Sequence, residues 1–388
     1  MVDFNDTKTA FALKSDNQLR KAYWLFKLVA SKSLVSIGKG LSDFSLRLGL
    51  PIKGLVKQTV YDQFVGGESI EECAQIVQRL YEYKVHSILD FAVEGKETET
   101  DFEACKDEIL KTIVYGSKHE SIPIAVFKVT GVAKFSLLEK VSANEELNIE
   151  ENAAWERVQQ RIEAICATAY EHKIMVMIDA EESWIQPAID KLCHWMMQRF
   201  NKEEVWVVNT LQMYRKDRLD FLKESLQNAR KEAYRYGAKL VRGAYMEKER
   251  ERAEAMSYPD PICDSKADSD ANYNAALEFM MENIADSAVV AGSHNEGSAR
   301  LLSELIDQKG LDRSDKRVWF SQLYGMSDNL SFNLGKEGYN VVKYLPFGPV
   351  KETLPYLIRR AEENSSAGGQ SGRELSLIQA ELKRRKAN

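Results

Sequence analysis

The sequence predicts a (β/α)8 barrel that follows an N-terminal helical arm. Strand-like runs rich in β-branched and aromatic residues alternate with segments of helical period, and apolar runs such as 174–178 suit strands buried on both faces. The eight runs cover 86–93, 122–129, 174–178, 205–210, 238–241, 288–292, 317–321 and 339–344. The regularity of eight such units favours a closed barrel over a doubly wound open sheet, which is the structural alternative.

Helical segments are expected in the arm and between the strands. Ser15 and Gln18 have capping-box spacing, and apolar residues follow at helical intervals, so residues 1–65 are predicted to be a helical arm. A membrane-facing role for part of this arm is an alternative to packing on the barrel. Further helices are predicted at 71–83, 102–115, 153–172, 185–200, 217–236, 270–284, 298–308, from Asp328 and from Thr353.

Residues 66–364 are assigned to the catalytic barrel and residues 365–388 to a tail. Residues 246–271 form a long charged insert after the fifth strand. The tail is predicted to be a flexible Ser/Gly-rich linker over 365–372, followed by a short basic-ended helix over 374–386.

Composition excludes several classes of protein. Of 388 residues, 44% are hydrophobic, enough for a sizeable core, and a net charge of −6 argues against a general nucleic-acid binder. No apolar run approaches the roughly 18 residues that cross a bilayer. Five scattered cysteines without a C-x-x-C motif, and five histidines without an H-E-x-x-H motif, favour reduced thiols and no metal site.

The first residues give an expectation about location. Residues 1–6 are acidic, with neither the apolar segment of a signal peptide nor an Arg-rich transit pattern. We therefore expect a cytoplasmic protein, with peripheral contact at the inner face of the membrane left open.

Polar residues follow most of the predicted strands. In (β/α)8 barrels the active site gathers at these carboxyl ends. Each residue has an ordinary structural explanation by itself, but the whole set predicts a functional rim. The set comprises Lys128, Asp179–Glu182, Thr210–Gln212, Lys239–Tyr245, Ser293–Glu296, Gln322–Gly325 and Tyr344.

No Rossmann or P-loop motif is present to bind a nucleotide. A barrel can still bind a phosphate-bearing cofactor through loop amides and cations at its rim. Arg242 and Gly243 are the best candidates, since glycine permits close approach of the backbone.

The segment after the last strand carries a second candidate. Pro346 is expected to end the strand, Thr353 to cap a helix and Pro355 to lie in its first turn. Steps of three and four then place Tyr356, Arg359, Arg360 and Glu363 on one side of that helix. This spacing is compatible with an Arg/Glu face that lies in solvent. It is also compatible with a site for a carboxylate or phosphate, because two adjacent guanidiniums need partners.

Together these motifs resemble proline dehydrogenase, in its eukaryotic-type branch. They are Asp179-Ala-Glu-Glu, Lys239-Leu-Val-Arg-Gly-Ala-Tyr, Ser293-His-Asn, Leu323-Tyr-Gly-Met and Tyr356-Leu-Ile-Arg-Arg-Ala-Glu-Glu-Asn. The resemblance extends over roughly residues 85–364, with the motifs in the family's order. It implies a barrel that binds FAD, oxidises L-proline to 1-pyrroline-5-carboxylate by hydride transfer to flavin N5, and passes electrons to a quinone.

The resemblance also implies roles for individual residues. Asp179 and Lys239 match catalytic positions. Substrate-binding positions are matched by Lys128, Leu323, Tyr344, Tyr356, Arg359, Arg360 and Glu363. Flavin-binding positions are matched by Ala180, Gln212, Val241, Arg242, Gly243, Ala244, Asp264, Lys266, Ser293 and His294.

Three other functions remain as alternatives. A hydroxyproline dehydrogenase typically has a small residue where Tyr344 stands, so Tyr344 favours proline. A Schiff-base lyase on the same barrel would use the amine of Lys128 or Lys239. In a non-catalytic helical scaffold, the arginine pair would simply face solvent. The missing transit segment departs from the mitochondrial members of the branch, and the oligomeric state is not determined.

Overall fold

A computed structural model describes residues 2–29, 60–93, 95–366 and 370–387. Its core is one eight-stranded parallel sheet in the order β1-β8-β7-β6-β5-β4-β3-β2. The seam between β1 and β2 is bridged where the Ser87 N–H donates to Ser121 O at 2.8 Å. The strands are β1 (His86–Phe91), β2 (Ile124–Lys128), β3 (Met175–Asp179), β4 (Val207–Gln212), β5 (Tyr236–Val241), β6 (Ser287–Gly292), β7 (Val318–Leu323) and β8 (Val341–Phe347). The predicted (β/α)8 barrel is confirmed.

Helices surround the barrel. Before the first strand lie α1 (Thr7–Ala10), α2 (Asp16–Val29), α3 (Asp62–Phe64) and α4 (Ile70–Tyr81). The helices of the barrel are α5 (Glu99–Gly116), α6 (Phe135–Ser142), α7 (Ile149–Glu171), α8 (Gln186–Phe200), α9 (Arg218–Lys231), α10 (Met246–Met256), α11 (Lys266–Glu282), α12 (Glu296–Gln308), α13 (Asp328–Lys336) and α14 (Val350–Ser366). The last helix is α15 (Gln370–Ala387).

Alternation along the strands decides which side chains reach the barrel interior. One buried cluster draws its residues from strands and strand edges alone and fills the barrel; it includes Ile88, Val126, Met177, Val208 and Tyr344. Their neighbours along each strand belong to clusters shared with the helices. Because the side-chain period of a strand is two, the residues two positions after these also face inward, at the carboxyl ends.

The last strand and helix differ from the prediction. β8 continues through Pro346 to Phe347, because its pairing with β7 ends at Tyr344, so Pro346 interrupts no ladder with that neighbour. Helix α14 begins at Val350, so Thr353 is not its cap; the Thr353 hydroxyl donates to Val350 O at 3.0 Å. Pro355 consequently lies inside the helix rather than in its first turn.

Helices replace much of the predicted irregular structure. The charged insert contains α10, and α11 begins at Lys266 rather than residue 270. Charges around all faces of α10 left no apolar stripe to indicate a helix. α6, with eight residues, was missed because it buries only Leu137 and Leu138. In the tail, α14 reaches Ser366 and α15 starts at Gln370, so little of the predicted linker remains.

Helices near the two ends of the chain pack against α14. Leu19 and Phe26 from α2, Leu377 from α15, and Tyr356 and Leu357 from α14 share one buried cluster. Nearly half of the predicted arm, at residues 30–59, lies outside the described residues, and the proposed domain division stays a prediction. In the described ranges no helix is long and apolar enough to span a membrane.

Candidate active site

Four side chains from four strands meet inside the carboxyl end of the barrel. Asp179, from β3, lies between two lysines: its Oδ1 accepts from Lys239 Nζ of β5 at 2.5 Å, and its Oδ2 accepts from Lys128 Nζ of β2 at 3.0 Å. The Tyr344 hydroxyl, from β8, donates to Oδ2 at 2.7 Å. The ammonium of Lys239 lies 5.1 Å from the centre of the Tyr344 ring. The sequence-predicted catalytic pair and two predicted substrate residues therefore form one buried cluster.

The electrostatics of this cluster keep Asp179 ionised. Burial by itself raises the pKa of its carboxyl, but the charges of Lys239 and Lys128 outweigh burial and hold the pKa well below its usual range. Burial, and then the Asp179 charge, raise the pKa of Tyr344, so its hydroxyl stays protonated and remains a donor. The cluster thus presents an ionised carboxylate, a protonated phenol and two lysine side chains. Because its pKa is low, Asp179 is a poor proton acceptor.

The predicted arginine pair lies on α14. Arg360 is buried, and its guanidinium carbon lies 5.0 Å from the centre of the Tyr356 ring. Arg359 is half-buried and lies 5.8 Å from the centre of the Tyr245 ring, which follows β5. The pair therefore does not lie on an open solvated face. The side chain of Glu363, its predicted ionic partner, is outside the part of the chain that the structure describes.

Leu323 connects the barrel interior to α14. It ends β7 and is half-buried, packing against the interior cluster that contains Tyr344 and against the cluster that contains Tyr356. Three of the predicted substrate residues are thus joined by apolar contacts.

A second polar network joins β5, α11 and β6. Arg242 Nε donates to Asp270 Oδ1 at 2.6 Å, and its Nη1 donates to the Ser293 hydroxyl at 2.7 Å. Its guanidinium carbon also lies 4.4 Å from the centre of the Tyr273 ring. Two predicted flavin residues therefore contact each other, and Arg242 is held rigidly at the rim.

Other predicted flavin residues border this network. Gln212 Nε2 donates to Glu181 O at 2.6 Å, directly beyond Ala180. Val241 ends β5, and Gly243 and Ala244 follow it. A Cβ on Gly243 would lie 2.3 Å from the Tyr214 ring, and the φ of Gly243 is +140°. Only glycine fits this close approach of the backbone.

His294 is buried among cations. Burial, followed by the charges of Lys343, Arg360 and Arg242, lowers its pKa to about 3, so the imidazole is neutral. Its Nδ1 lies 2.9 Å from the Ser327 hydroxyl.

Asp264 and Lys266 lie apart from these groups. Asp264 is exposed and pairs with Lys216 Nζ at 2.8 Å. Lys266 is also exposed, but it donates to Asp270 Oδ2 at 2.6 Å, and Asp270 in turn holds Arg242. The insert therefore contacts Arg242 of the predicted flavin network through Asp270.

Sequence reasoning missed three buried groups beside the site. Asp90, at the end of β1, is 3.8 Å from Lys128 Nζ and faces inward by alternation from Ile88. Its place after an apolar run would have identified it. Glu249 in the insert accepts from the Ser183 amide and hydroxyl at 2.7 and 2.5 Å, and no motif marked it. Lys343 lies within the strand-like run of residues 339–344, and no motif marked it as a functional residue.

Comparisons with known proteins bear on this site. The family model described as proline dehydrogenase matches residues 73–373. The chain is 32% identical over 434 residues to "Proline dehydrogenase 1, mitochondrial" of Arabidopsis thaliana, covering 99% of this chain and 86% of that protein. It is 34% identical over 363 residues to "Carbapenem antibiotics biosynthesis protein CarD" of Pectobacterium carotovorum subsp. carotovorum, covering 93% and 94%. It is 31% identical over 415 residues to "Hydroxyproline dehydrogenase" of Xenopus laevis, covering 97% and 89%.

Among solved structures, proline utilization A (PutA) from Bdellovibrio bacteriovorus superposes with a TM-score of 0.73 at 20% identity. The match covers 95% of this chain and 40% of that chain, so this chain spans less than half of the larger protein. At this identity the likeness supports the barrel fold alone.

The expected cytoplasmic location is wrong by these comparisons. The relatives from Arabidopsis thaliana, Dictyostelium discoideum and Homo sapiens are all named mitochondrial. The expectation rested on the first few residues, which say little about the location of a family.

Proposed function

Because the chain belongs to the proline dehydrogenase family, we propose that it oxidises L-proline to 1-pyrroline-5-carboxylate with FAD as the hydride acceptor and a quinone as the final electron acceptor. The observation that carries the proposal is the buried charge arrangement at the barrel's carboxyl end. Asp179 ties together Lys128, Lys239 and Tyr344, and the cationic face of α14 lies over the same rim.

The residues present fit a bound flavin nucleotide. The guanidinium of Arg242 and the hydroxyl of Ser293 suit a phosphate-bearing group at the rim, and Gly243 lets the backbone beside Arg242 pack closely on the Tyr214 ring. Gln212 and neutral His294 add groups that can hydrogen-bond to such a cofactor. Bound FAD would supply the acceptor for the hydride that leaves the ring carbon beside the proline nitrogen.

The chain's own residues then bind and orient the substrate. Arg359 and Arg360 are proposed to hold the proline carboxylate through charge-assisted hydrogen bonds. Tyr344, Tyr356 and Leu323 enclose the ring and exclude water. Lys239 would supply a cation that stabilises the negative charge of a reduced flavin, and Asp179 fixes that lysine in position.

A membrane-bound quinone would require a surface that can approach lipid. Trp24 and Leu28 on α2 are exposed, and Lys27 lies 5.0 Å from the centre of the Trp24 ring. Aromatic and basic side chains on one helix suit a membrane interface. We propose that this part of α2 makes a peripheral contact.

An absorption spectrum tests the central proposal. Purified protein should be yellow, should release its flavin on acid precipitation, and should bleach anaerobically when L-proline is added. Absence of flavin would refute the enzyme proposal, and flavin retained in the pellet would show a covalent link. Trapping of a carbonyl substrate by borohydride would instead favour the Schiff-base alternative.

Replacing Tyr344 by Ser should shift the substrate preference toward hydroxyproline. The change removes the ring beside Lys239 and leaves room for one hydroxyl group, and pocket changes of this size are worth about 1–3 kcal/mol. The ratio of kcat/KM for hydroxyproline to that for proline measures the shift. Tyr356→Phe, which keeps the ring in place, is the matched control. An unchanged ratio in Tyr344→Ser would show that Tyr344 does not contact the ring.

Replacing Gly243 by Ala should lower flavin occupancy. The added Cβ would lie 2.3 Å from the Tyr214 ring, so either the ring or the Arg242–Ala244 backbone must shift. Bound flavin per protein, measured from the absorption spectrum, should fall several-fold. Gly310→Ala is the control, because Gly310 also has a positive φ, +64°, and so shares the backbone strain, but no atom lies within 4 Å of its added Cβ. Normal flavin content in Gly243→Ala would contradict the assignment.

A further inference from the structure

Lys343 occupies a position where the fold would ordinarily place an apolar side chain. On β8, Val342 and Tyr344 face the barrel interior, so Lys343 faces the layer between the barrel and its helices. Val341 and Leu345, which face the same way, are apolar and fully buried. Lys343 is itself 0% exposed. A buried ammonium costs several kcal/mol unless hydrogen bonds and a counter-ion compensate.

The compensation comes from one loop. The Lys343 ammonium donates to Met326 O at 2.5 Å and to Leu323 O at 3.4 Å, and it pairs with Asp328 Oδ1 at 2.9 Å. Burial lowers the pKa of Lys343, and the Asp328 charge opposes that shift. The other oxygen of Asp328 pairs with Lys14 Nζ at 3.3 Å.

That loop, residues 323–326, connects β7 to α13 and forms a wall of the proposed substrate pocket. The Tyr324 N–H donates to Tyr344 O at 2.9 Å, and Gln63 Nε2 donates to Gly325 O at 2.7 Å. Lys343 binds the carbonyls at the two ends of the turn, so it restrains the turn that follows Leu323, while the ladder between β7 and β8 sets the backbone spacing of Leu323 and Tyr344. Without the ammonium, Met326 O would lose its 2.5 Å charged donor, and Leu323 O would keep only the Met326 N–H at 3.2 Å of these two, so the turn would be held less firmly.

The same buried region continues to the proposed flavin side. The Glu374 carboxylate, on α15, accepts from the Ser327 N–H, and the Ser327 hydroxyl contacts His294 Nδ1. Burial, then the Asp328 charge, raises the pKa of Glu374 to about 7. The charged groups facing Lys343 are therefore Asp328, Glu374 and, behind Asp328, Lys14.

We propose that Lys343 is a positioning residue for substrate binding. It acts through the backbone of residues 323–326, which it holds so that Leu323 closes on the ring of the substrate beside Tyr344. This inference rests on the proposed function, in which Leu323 and Tyr344 line the proline site. A purely structural ion pair would affect stability but would leave the affinity for substrate unchanged.

The test compares Lys343→Met with Lys14→Met in the flavin-loaded, full-length protein. Both variants remove one lysine from the same aspartate, but only Lys343→Met removes the donor to the loop carbonyls. Lys343→Met should raise KM for proline about tenfold, with kcat within about threefold and normal flavin content, since the loss of one apolar contact in a pocket is felt at roughly ten- to two-hundredfold. The inhibition constant of tetrahydrofuran-2-carboxylate should rise in parallel. Lys14→Met should lower Tm without changing KM.

Equal KM values for wild type and Lys343→Met would overturn the inference, as would an equal rise in KM in both variants. If Lys343→Met does not fold, Lys343→Gln keeps a shorter neutral donor and should give an intermediate KM; a wild-type KM there would also overturn it. Failure of wild type to reduce its flavin with proline would refute the proposed function instead, so the two failures are distinguishable.

Discussion

Arg360→Met is expected to lower kcat/KM for proline by thirtyfold to several thousandfold while leaving flavin content near normal. Losing one partner of a buried charged hydrogen bond costs roughly 2–5 kcal/mol, which sets this range. Methionine keeps much of the apolar stem that packs in the 6%-exposed site beside Tyr356, so the fold should survive. Steady-state kinetics with proline, together with flavin absorbance per protein, measure both quantities.

Substrate analogues separate loss of the carboxylate contact from general damage. Tetrahydrofuran-2-carboxylate has the shape and charge of proline, and it should bind Arg360→Met much more weakly than wild type. Pyrrolidine, a ring amine without the carboxylate, should bind the two proteins alike. Glu363→Gln should have a smaller effect than Arg360→Met. Equal inhibition of wild type and Arg360→Met by the carboxylate would place this arginine outside the substrate site.

Asp179→Asn is expected to have an effect of comparable size, for a different reason. The carboxylate pairs with Lys239 at 2.5 Å and with Lys128 at 3.0 Å in a site where Asp179 itself is only 8% exposed. Removing one member of a buried ion pair leaves uncompensated charge and costs about 3–5 kcal/mol. We expect kcat/KM to fall at least about a hundredfold, accompanied by a lower Tm, because activity and stability both depend on this carboxylate.

Asp90→Asn is the matched control for that variant. Asp90 is also buried at the rim, but it lies 3.8 Å from Lys128 and does not share the Lys239 ammonium. Its loss should therefore lower kcat/KM much less. Wild-type kcat/KM in Asp179→Asn, with a reduced Tm, would show that the cluster only stabilises the barrel. Comparable losses in the two variants would mean that total charge, rather than the Asp179 contacts, matters.

The barrel was predictable because its determinants are local. Apolar strand runs separated by helical period appear directly in the sequence, and strand carboxyl ends in a parallel barrel share one rim. Lys128, Asp179, Lys239 and Tyr344 could therefore be grouped before their distances were known. Gly243 could be selected in the same way, since close backbone approach restricts the residue type. The resemblance to a family added roles that the pattern itself does not contain.

Contacts between distant segments could not be predicted in this way. Whether the side chain of Lys343 faces solvent or the loop of residues 323–326 depends on how β8, β7 and α13 pack together. The placement of α15 against α2 and α14, and of Glu374 on the Ser327 amide, depends on apolar surfaces far apart in the chain. The continuation of β8 through Pro346 likewise depends on where the neighbouring strand stops.

The sequence by itself thus determined the fold class and the edge of the barrel at which polar groups gather, because periodicity and strand polarity are properties of short segments. Only the tertiary structure decided which charges neutralise one another: Asp179 with two lysines, Arg242 with Asp270, and Lys343 with Asp328. Electrostatic pairing depends on burial and on distances of a few ångströms between residues that are 15 to 60 positions apart in sequence. For Asp328 and Lys14 the separation is more than 300 positions. Such distances are fixed only when the barrel closes.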